Sequence, residues 1–507
     1  MRAVLSVIIL LSVIADAPAA PARKQDPYES LERELERGRF AQVKEVAKHD
    51  KLTAALLSLY KGDYKQALDA AVAADAEGLK TYLERLYGIA KGFDKPHIDG
   101  AFLLRSQARD GVLKIGAFEA LGACQQKVAG LIGYDPQGQV IVEVYRNKAD
   151  FAHASSLGRE LLAKSGVVGI AKFHRIMMVT PESLPFGYPW QDTLCHEYIH
   201  HALKVKAGTE LPLWFQEGFA RYYERIWRGG RFEPLLGDLE SLYTAAKEDK
   251  LVSFARMDPS MVYLKDEAEI SLAFTQVAMA MQALEPSITK LLAALEKGKG
   301  FADAFERATG STLKLFESEL RGAWRTQAKE TKLSKRSGAL RTILSMEEGP
   351  QEDLYMGPQA SQLLSLGDEM KENDNAQAAH RLYEQALIVE PLNPYVLARV
   401  ARSRLAAGDR VKAIQAAEKI IEVNPHWPPG YEMLGGFREQ EGMFEPAIEI
   451  YKKYFDYNPY NFALYKKIAF LYIDLGKSTQ AIPYLKQAVI LEPQDREVKD
   501  ALEVLSK

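Results

Sequence analysis

Apolar and small residues recur every 34 positions through the last third of the chain, and this period predicts its structure. Four kinds of position repeat in step: a large apolar residue, a turn residue, an alanine and a proline. The large apolar residues are Leu363, Leu397, Tyr431 and Tyr465. The turn residues are Asp374, Gly408, Gly442 and Gly476. The alanines and prolines are Ala379, Ala413, Ala447, Ala481, Pro391, Pro425, Pro459 and Pro493.

The period predicts four units, each a pair of helices, followed by a capping helix in Asp495–Lys507. A small alanine early in the second helix lets the two helices approach closely, and the proline ends that helix. The pattern resembles the tetratricopeptide repeat. The resemblance implies an all-α region at 360–507, with a groove that docks a protein or peptide partner. A scaffold without a particular ligand is the alternative.

The N-terminal region, residues 23–125, is also predicted to be helical. Gly62 and Ala67 are five residues apart, as are Gly408 and Ala413 in the repeats. We therefore expect a degenerate helix pair of the same kind in this region. Its sequence indicates no chemistry of its own.

The first 22 residues have the pattern of a secretory signal peptide. Arg2 precedes an apolar run, and small residues at 17–22 offer cleavage after Ala19 or Ala22. A buried N-terminal helix or a retained anchor is the alternative. We expect an exported protein, periplasmic or secreted. No later segment is long enough without charge to span a bilayer, so no transmembrane segment is expected after cleavage.

Composition excludes some functions and adds one boundary. A length of 507 residues favours about three domains. The formal net charge of −3 does not indicate a nucleic-acid partner. Residues 330–359 mix charge, serine and two Gly-Pro pairs, which predicts a linker.

Export permits a disulfide, but Cys124 and Cys195 form no framework. Two separate buried thiols are therefore expected, with a bridge as the alternative.

The sequence His196-Glu197-Tyr198-Ile199-His200 is a candidate metal site. Residues four apart share one face of a helix, so the two histidines can hold one zinc ion. The surrounding run from Thr193 to Lys206 contains no glycine or proline and is apolar nearly all round, which predicts a buried helix. Buried histidines need polar partners, and a metal supplies them. Satisfied core histidines are the alternative.

Catalytic zinc keeps three protein ligands and one open position, so a third ligand is needed. Glu217 follows 17 residues after His200, in the segment Leu211–Ala220. Pro212 fits the first turn of a second helix, from which the Glu217 carboxylate can reach the metal. His201 is a poor third ligand because it lies about 100° round the helix from His200.

The motif at 196–200, followed by Leu-Pro-x-Trp-x-x-Glu-Gly-x-Ala, resembles the gluzincin zinc metallopeptidases, and in particular the bacterial peptidase MA-like family. The resemblance implies an α+β zincin-like domain at 135–329, flanked by the all-α repeats. It implies one Zn²⁺ per chain held by His196, His200 and Glu217, with Glu197 as the general base. It also implies that the strand before the active helix, Arg175–Thr180, pairs with an extended peptide substrate.

The chain departs from this family at two places. Relatives often have an acidic residue four positions after the ligand glutamate, to support a histidine, where this chain has Arg221. Asp192 is one candidate for that support. Relatives also often have a tyrosine where this chain has Phe274. Tyr222 and Tyr223 are candidate substitutes for its hydroxyl.

The sequence is consistent with three functions. The first is an exported zinc metallopeptidase whose repeats dock proteins. The second is a scaffold or assembly protein that acts through its repeats and has a weak or inactive peptidase-like domain. Retention of Glu197 speaks against the second, because a scaffold needs no general base. The third is a zinc hydrolase that acts on a non-peptide bond.

Overall fold

A computed structural model of the full chain describes residues 27–133, 138–158, 166–207, 211–258, 261, 264–297, 299–331 and 356–507. The chain forms two compact units. Unit 1 comprises Met1–Ser183, Gln191–Phe232 and Lys250–Ala323. Unit 2 comprises Leu184–Trp190, Glu233–Asp249 and Trp324–Lys507. The predicted signal peptide at 1–22 and most of the predicted linker at 330–359 lie outside the described residues.

Unit 1 begins with five short helices. They are α1 (Pro27–Glu36), α2 (Phe40–Ala47), α3 (Lys51–Tyr60), α4 (Tyr64–Ala73) and α5 (Glu77–Ala90). Asp50 and Asp63 cap α3 and α4 by accepting hydrogen bonds from backbone amides of the first turn. Gly62 has φ +70° in the turn between these two helices, and Ala67 is fully buried on α4. The helix pair predicted around these two residues is therefore present.

The helical prediction for 23–125 is wrong between residues 97 and 105. Two strands lie there, β1 (His97–Asp99) and β2 (Phe102–Arg105). Residues 102–104 form a short apolar run that is buried, and β2 hydrogen-bonds to strands on both sides. A run of this length cannot be told from a buried helix segment by periodicity alone.

Five strands form one mixed sheet in the order β1-β2-β3-β5-β4. The others are β3 (Val140–Tyr145), β4 (Gly169–Lys172) and β5 (Arg175–Val179). β3 is parallel to both β2 and β5, with Val142 opposite Leu104 and Ile176. β4 is antiparallel to β5 and lies at the edge of the sheet.

This strand order corrects one sequence-based expectation. Residues 175–180 were expected to be free to pair with a substrate, but β5 is bonded to β3 on one side and β4 on the other. The reason is the tight hairpin at Phe173 and His174, both with φ +56°, which folds β4 back along β5. Among the strands of the described residues, the outer one on this side of the sheet is therefore β4.

The remaining helices of unit 1 lie between the strands or after them in the chain. They are α6 (Lys114–Ile132), α7 (Lys148–Ser155), α8 (Trp190–Ala207), α9 (Leu213–Tyr223), α11 (Phe254–Met257), α12 (Glu267–Leu284), α13 (Ile288–Glu296) and α14 (Phe301–Thr309). Short 3₁₀ turns lie at Ala108–Leu113, Pro181–Ser183, Ile226–Arg228 and Glu285–Ser287. Two further helices belong wholly or partly to unit 2, α10 (Leu236–Lys247) and α15 (Leu313–Glu330).

A buried ion pair joins the sheet to the N-terminal helices. Glu143 on β3 and Arg175 on β5 are both fully buried, with Oε2 and Nε 3.5 Å apart. Arg105 Nη1 lies 3.1 Å from Glu143 Oε1, and the hydroxyls of Tyr64 and Tyr145 donate to the same carboxylate. Burial raises the pKa of Glu143, but the two guanidinium groups outweigh it and hold that pKa below its ordinary value.

Unit 2 contains the helix pairs that the 34-residue period predicts. The pairs are α16 (Pro358–Glu372) with α17 (Ala376–Val389), α18 (Pro394–Ala406) with α19 (Arg410–Val423), α20 (Pro429–Gln440) with α21 (Phe444–Tyr454), and α22 (Phe462–Asp474) with α23 (Ser478–Leu491). The capping helix is α24 (Arg496–Leu505), and Asp495 caps it by accepting from the Val498 amide. The four alanines of the period are all buried, as close helix packing requires.

Within the described part of the chain, no helix is both long enough and apolar enough to cross a bilayer.

The buried ion pair gives the first prediction. Glu143→Ala leaves the Arg175 guanidinium buried without its main countercharge, which costs about 3–5 kcal/mol. We expect a clear fall in the melting temperature of the full chain, measured by differential scanning calorimetry. Glu77→Ala is the control, because its ion pair with Lys80 is exposed and such pairs contribute at most about 1 kcal/mol. Equal effects of the two variants would contradict a central role for Glu143.

Candidate metal centre

Helices α8 and α9 bring three metal-ligating side chains together. His196 and His200 are one helical turn apart on α8, and Glu217 lies on α9. The two imidazole Nε2 atoms are 3.1 Å apart. Glu217 Oε2 lies 3.5 Å from His196 Nε2 and 3.4 Å from His200 Nε2. These are the three ligands that the sequence predicts.

The spacing of these donor atoms fits a zinc ion. Ligand distances of about 2.0–2.1 Å place the corners of a tetrahedron about 3.3–3.4 Å apart. The three observed separations, 3.1, 3.4 and 3.5 Å, lie close to this value. Three donors make one triangular face and leave the fourth vertex free for another ligand. Two imidazoles and a carboxylate are a donor set that suits zinc.

Because these side chains are close together and partly buried, the pKa values of His196 and Glu217 depend on each other's charge. Burial lowers the pKa of His196, but Glu217 and Glu224 outweigh it and raise that pKa to about 10. Burial raises the pKa of Glu217, but His200 and His196 outweigh it and hold that pKa well below its ordinary value. The carboxylate is therefore ionised, which is the form that binds a metal.

Glycine beside the third ligand sets the position of α9. A Cβ atom at Gly218 would lie 2.7 Å from the carbonyl oxygen of Val277 on α12. Only glycine allows the two helices to approach this closely. Trp214, one turn before Gly218, stacks on Phe254 with ring centroids 4.2 Å apart. Both contacts fix the helix that presents Glu217.

Glu224 supports the first histidine, a role that sequence reasoning missed. Its Oε2 accepts from His196 Nδ1 at 3.2 Å, which directs Nε2 towards the other two donors. Its Oε1 accepts from Arg221 Nη1 at 2.6 Å. Glu224 is the C-cap residue of α9 and follows Glu217 by seven residues, about two helical turns, so both lie on the same side of the helix axis. That spacing was the available signal. A search four residues after Glu217 finds Arg221 instead.

The suggestion that Asp192 supports a ligand histidine is wrong. The Asp192 carboxylate accepts from Trp227 Nε1 at 2.9 Å and pairs with Arg228 and Arg225. These partners follow α9 in the chain, and they occupy the side chain fully. Asp192 therefore fastens the first turn of α8 to the segment that follows α9.

Glu197, the predicted general base, lies beneath the edge strand. Its side chain is buried, at 7% exposure. Burial raises its pKa, and the opposing effect of the two histidines does not cancel that rise. A Cβ atom at Gly169 would lie 3.1 Å from Glu197 Cγ and 3.2 Å from Oε1. Glycine at this position of β4 therefore leaves the room that the carboxylate occupies.

The two candidate hydroxyls for an oxyanion are used elsewhere. Tyr222 donates to Glu285 Oε2 at 2.6 Å, and the Tyr223 hydroxyl lies 3.4 Å from Glu285 Oε1. Neither hydroxyl is therefore directed at the three donor atoms. Phe274 lies on α12 and is half-buried. His201 turns away from the site as predicted, with its ring 4.6 Å from that of His174.

A disulfide ties α8, the helix that carries the two histidines, to α6. Cys124 and Cys195 are bonded, so the expectation of two separate thiols is wrong. Both are fully buried, and Cys195 directly precedes His196. Sequence alone could not bring together two residues that are 71 positions apart.

Comparison with known proteins finds relatives for the repeats. Residues 439–505 match the tetratricopeptide repeat family. The small glutamine-rich tetratricopeptide repeat-containing protein 2 of Saccharomyces cerevisiae is 29% identical over 107 residues, 21% of this chain and 31% of that protein. The heat-shock protein cognate co-chaperone sgt12 of Aspergillus fumigatus is 31% identical over 103 residues, 19% of this chain and 30% of that protein.

The chain thus spans about a third of the length of these curated relatives. Among solved structures, the Sgt2 repeat domain from Aspergillus fumigatus is 25% identical, with a TM-score of 0.24 over 26% of this chain and 88% of that one. From the family match and the observed helix pairs, the pairs of unit 2 are tetratricopeptide repeats.

The metal-site geometry gives the second prediction. Each of His196→Ala, His200→Ala and Glu217→Ala removes one of three donor atoms. After chelation and reloading, we expect one zinc ion per chain in the parent and a loss of bound zinc in each variant. Inductively coupled plasma mass spectrometry of the purified protein measures this ratio. His201→Ala is the matched control, because it changes the adjacent histidine and should keep the zinc. Full zinc in all three ligand variants would contradict the site.

The hydrogen bond from His196 to Glu224 gives the third prediction. Glu224→Ala frees the His196 ring to rotate, so zinc affinity should fall about 10–100-fold. Glu224→Gln keeps an oxygen that can accept from Nδ1 and should restore part of the affinity. Competition with a chromogenic chelator measures both values. An unchanged affinity in Glu224→Ala would show that this carboxylate has no supporting role.

Proposed function

We propose that this chain binds a polypeptide through its repeats and serves as a protein-interaction scaffold. The family match and the relatives support this role, because they share the repeat region with this chain. One of those relatives is named a co-chaperone. These comparisons favour a scaffold over a peptidase.

Ion pairs between the first helices of neighbouring repeats support a binding surface. Arg399 on α18 pairs with Asp368 on α16 at 3.0 Å, and Lys467 on α22 pairs with Glu439 on α20 at 3.0 Å. The first helices of neighbouring repeats are thereby held side by side. Together they present a polar surface of mixed charge, which suits a polypeptide with charged and hydrogen-bonding groups.

A second function, zinc-dependent peptide hydrolysis, is favoured by one observation: the tetrahedral spacing of the His196, His200 and Glu217 donor atoms. The resemblance to gluzincins and to the peptidase MA-like family points the same way, and we propose a zincin-like α+β domain around this site. Bound zinc would polarise the scissile carbonyl and lower the pKa of a water molecule towards about 7.

The residues of this chain would then do the following work. Glu197 takes a proton from the attacking water and delivers it to the leaving amine, and its raised pKa suits a base that must also act as an acid. The outer edge of β4, which is the edge strand within the described part of the sheet and lies over Glu197, offers backbone groups to an extended peptide. One of these groups, the Ala171 carbonyl, already accepts from Lys204 Nζ at 2.7 Å. A peptide that pairs at that position must displace the lysine.

We further propose that the protein works outside the cytoplasm, in the periplasm or secreted. The buried Cys124–Cys195 disulfide supports this location, since disulfides persist in oxidising compartments. The signal-like N-terminus supports it independently.

Glu197→Gln provides the fourth prediction. It keeps the size of the side chain and all three donor atoms, but it removes the proton acceptor. If the second function holds, the variant keeps one zinc per chain and loses about 10²–10⁴-fold in cleavage rate. A library of quenched fluorescent peptides measures turnover, and ester and glycan panels test the non-peptide alternative. Glu296→Gln, on an exposed glutamate of α13, is the control. If the zinc-loaded parent cleaves none of these substrates, hydrolysis is excluded and only the scaffold function stands.

The fifth prediction concerns the repeats. Peptides selected by phage display on the full chain should lose at least about tenfold in affinity when Arg399 and Lys467 are replaced by alanine. Lys419→Ala is the control, because this lysine lies on a second helix and pairs within it. Isothermal titration measures the affinities, with and without a zinc chelator. If the peptides bind the parent and the variant with both Arg399 and Lys467 replaced equally well, they do not bind on the first helices of the repeats.

A further inference from the structure

A lysine of α8 reaches the outer edge of β4. Lys204 follows Glu197 by seven residues, about two helical turns, so the two side chains leave the same side of α8. The Lys204 side chain is partly buried, and its Nζ donates to the carbonyl of Ala171 at 2.7 Å. These three residues all belong to unit 1. The lysine is therefore a neighbour of both the predicted general base and the edge strand.

The hydrogen bonds of the sheet show which backbone groups of β4 point outwards. Across the pair of β4 and β5, the Val179 amide donates to the carbonyl of Val168 at 2.9 Å. Residues of an antiparallel strand alternate between bonding to their partner strand and pointing away from it. The amides and carbonyls of Gly169 and Ala171 therefore point away from β5. The Lys204 ammonium thus occupies the place where a peptide that pairs with β4 would lie.

The charge of Lys204 has no carboxylate partner among the residues that the structure describes, where its acceptor is a neutral carbonyl. Two residues further on, Lys206 pairs with Glu296 at 3.1 Å. A second cation is close by: burial lowers the pKa of Lys172 to about 8, and the Lys204 charge acts in the same direction against the effect of Glu36. The ammonium of Lys204 therefore remains available to an anionic group.

A peptide strand that pairs with β4 changes the hydrogen bonding of this lysine. An amide of the peptide takes the Ala171 carbonyl and displaces the Lys204 ammonium from it. A partly buried ammonium that loses its acceptor destabilises the complex unless another acceptor replaces it. A carboxylate on the peptide is such an acceptor, and its charge-assisted hydrogen bond is stronger than the bond to the carbonyl. Binding should therefore favour a peptide that carries a carboxylate at this place.

The same contacts give the distance between that carboxylate and the bond that is cleaved. A Cβ atom at Gly169 would lie 3.1 Å from Glu197 Cγ, so the general base faces the strand at this residue. The Lys204 contact is at Ala171, two residues further along the strand. Two residues of a strand span about 7 Å. The carboxylate would thus lie about two residues along the peptide from the bond that faces Glu197.

We propose that Lys204 selects peptide substrates by a carboxylate about two residues from the cleaved bond. This proposal rests on the second proposed function, zinc-dependent peptide hydrolysis, and names the substrate class of that site. A free C-terminus and an aspartate or glutamate side chain both supply the carboxylate. Lys204 is then a specificity residue, which binds the substrate and takes no part in the transfer of protons.

Peptide binding to the zinc-loaded Glu197→Gln full chain tests the proposal without turnover. The probes are acetylated hexapeptides of one uncharged sequence: one with a free C-terminus, one amidated, and amidated peptides with one aspartate at successive positions. Isothermal titration avoids a charged dye. We expect the free C-terminus, or an aspartate at one position, to strengthen binding about 10–100-fold over the uncharged amide.

Substitutions of Lys204 in the Glu197→Gln chain assign this preference. Lys204→Met should abolish it, Lys204→Arg should retain it, and Lys204→Glu should replace it by a preference for lysine in the peptide. Lys206→Met is the matched control, because it removes the same charge from the same helix at a lysine that pairs with Glu296, and it should leave the preference unchanged. Lys204→Gln keeps a donor for the Ala171 carbonyl and replaces Lys204→Met if that variant folds poorly.

The outcomes separate this proposal from the function on which it rests. A preference for the free C-terminus alone identifies the end of a chain as the source of the carboxylate, and a preference for an internal aspartate identifies a side chain; either result supports the proposal. Equal binding of charged and uncharged peptides, or no binding of any, would overturn it. So would a preference that persists in Lys204→Met, because it would arise elsewhere, as in the repeats. Cleavage by the parent without a preference refutes the role of Lys204 alone, whereas a Lys204-dependent preference without cleavage refutes hydrolysis alone.

Discussion

The pairing of the partly buried Glu217 carboxylate with two imidazole rings is the interaction around which α8 and α9 are arranged. A charged group removed from water is costly unless it is paired or coordinates a metal. Here the nearest partners are the Nε2 atoms of His196 and His200, at 3.5 and 3.4 Å. A cation bound among these three donors would further compensate the charge of the carboxylate.

The surroundings hold each of these donors from a different direction. Glu224 fixes the ring of His196, the Cys124–Cys195 disulfide fixes the first half of α8, and Gly218 fixes α9 against α12. On the other side, Gly169 places the edge strand over Glu197. These contacts come from distant parts of the sequence, so the site requires the folded unit and not merely a local motif. A functional metal site requires preorganisation of this kind, and its presence here supports the proposed zinc site.

The sequence predicted those features that depend on local spacing. A period of 34 residues predicts the repeats, because each unit buries the same faces. The helix periodicity predicts that His196 and His200 share a face, and a short loop predicts that Glu217 reaches them. The edge position of β4 could not be predicted, since strand order depends on pairing between segments far apart. For the same reason the disulfide and strands β1 and β2 were missed. Glu224 was missed because seven residues, rather than four, separate it from Glu217.

X-ray absorption at the zinc edge of the zinc-loaded full chain identifies the ligand atoms themselves. Zinc held by His196, His200 and Glu217 should give a first shell of nitrogen and oxygen at about 2.0–2.1 Å, with the outer scattering of two imidazole rings. We expect no sulfur at about 2.3 Å, because both cysteines are joined in the disulfide. A sulfur shell, or an oxygen shell without imidazole scattering, would contradict a site built from His196, His200 and Glu217.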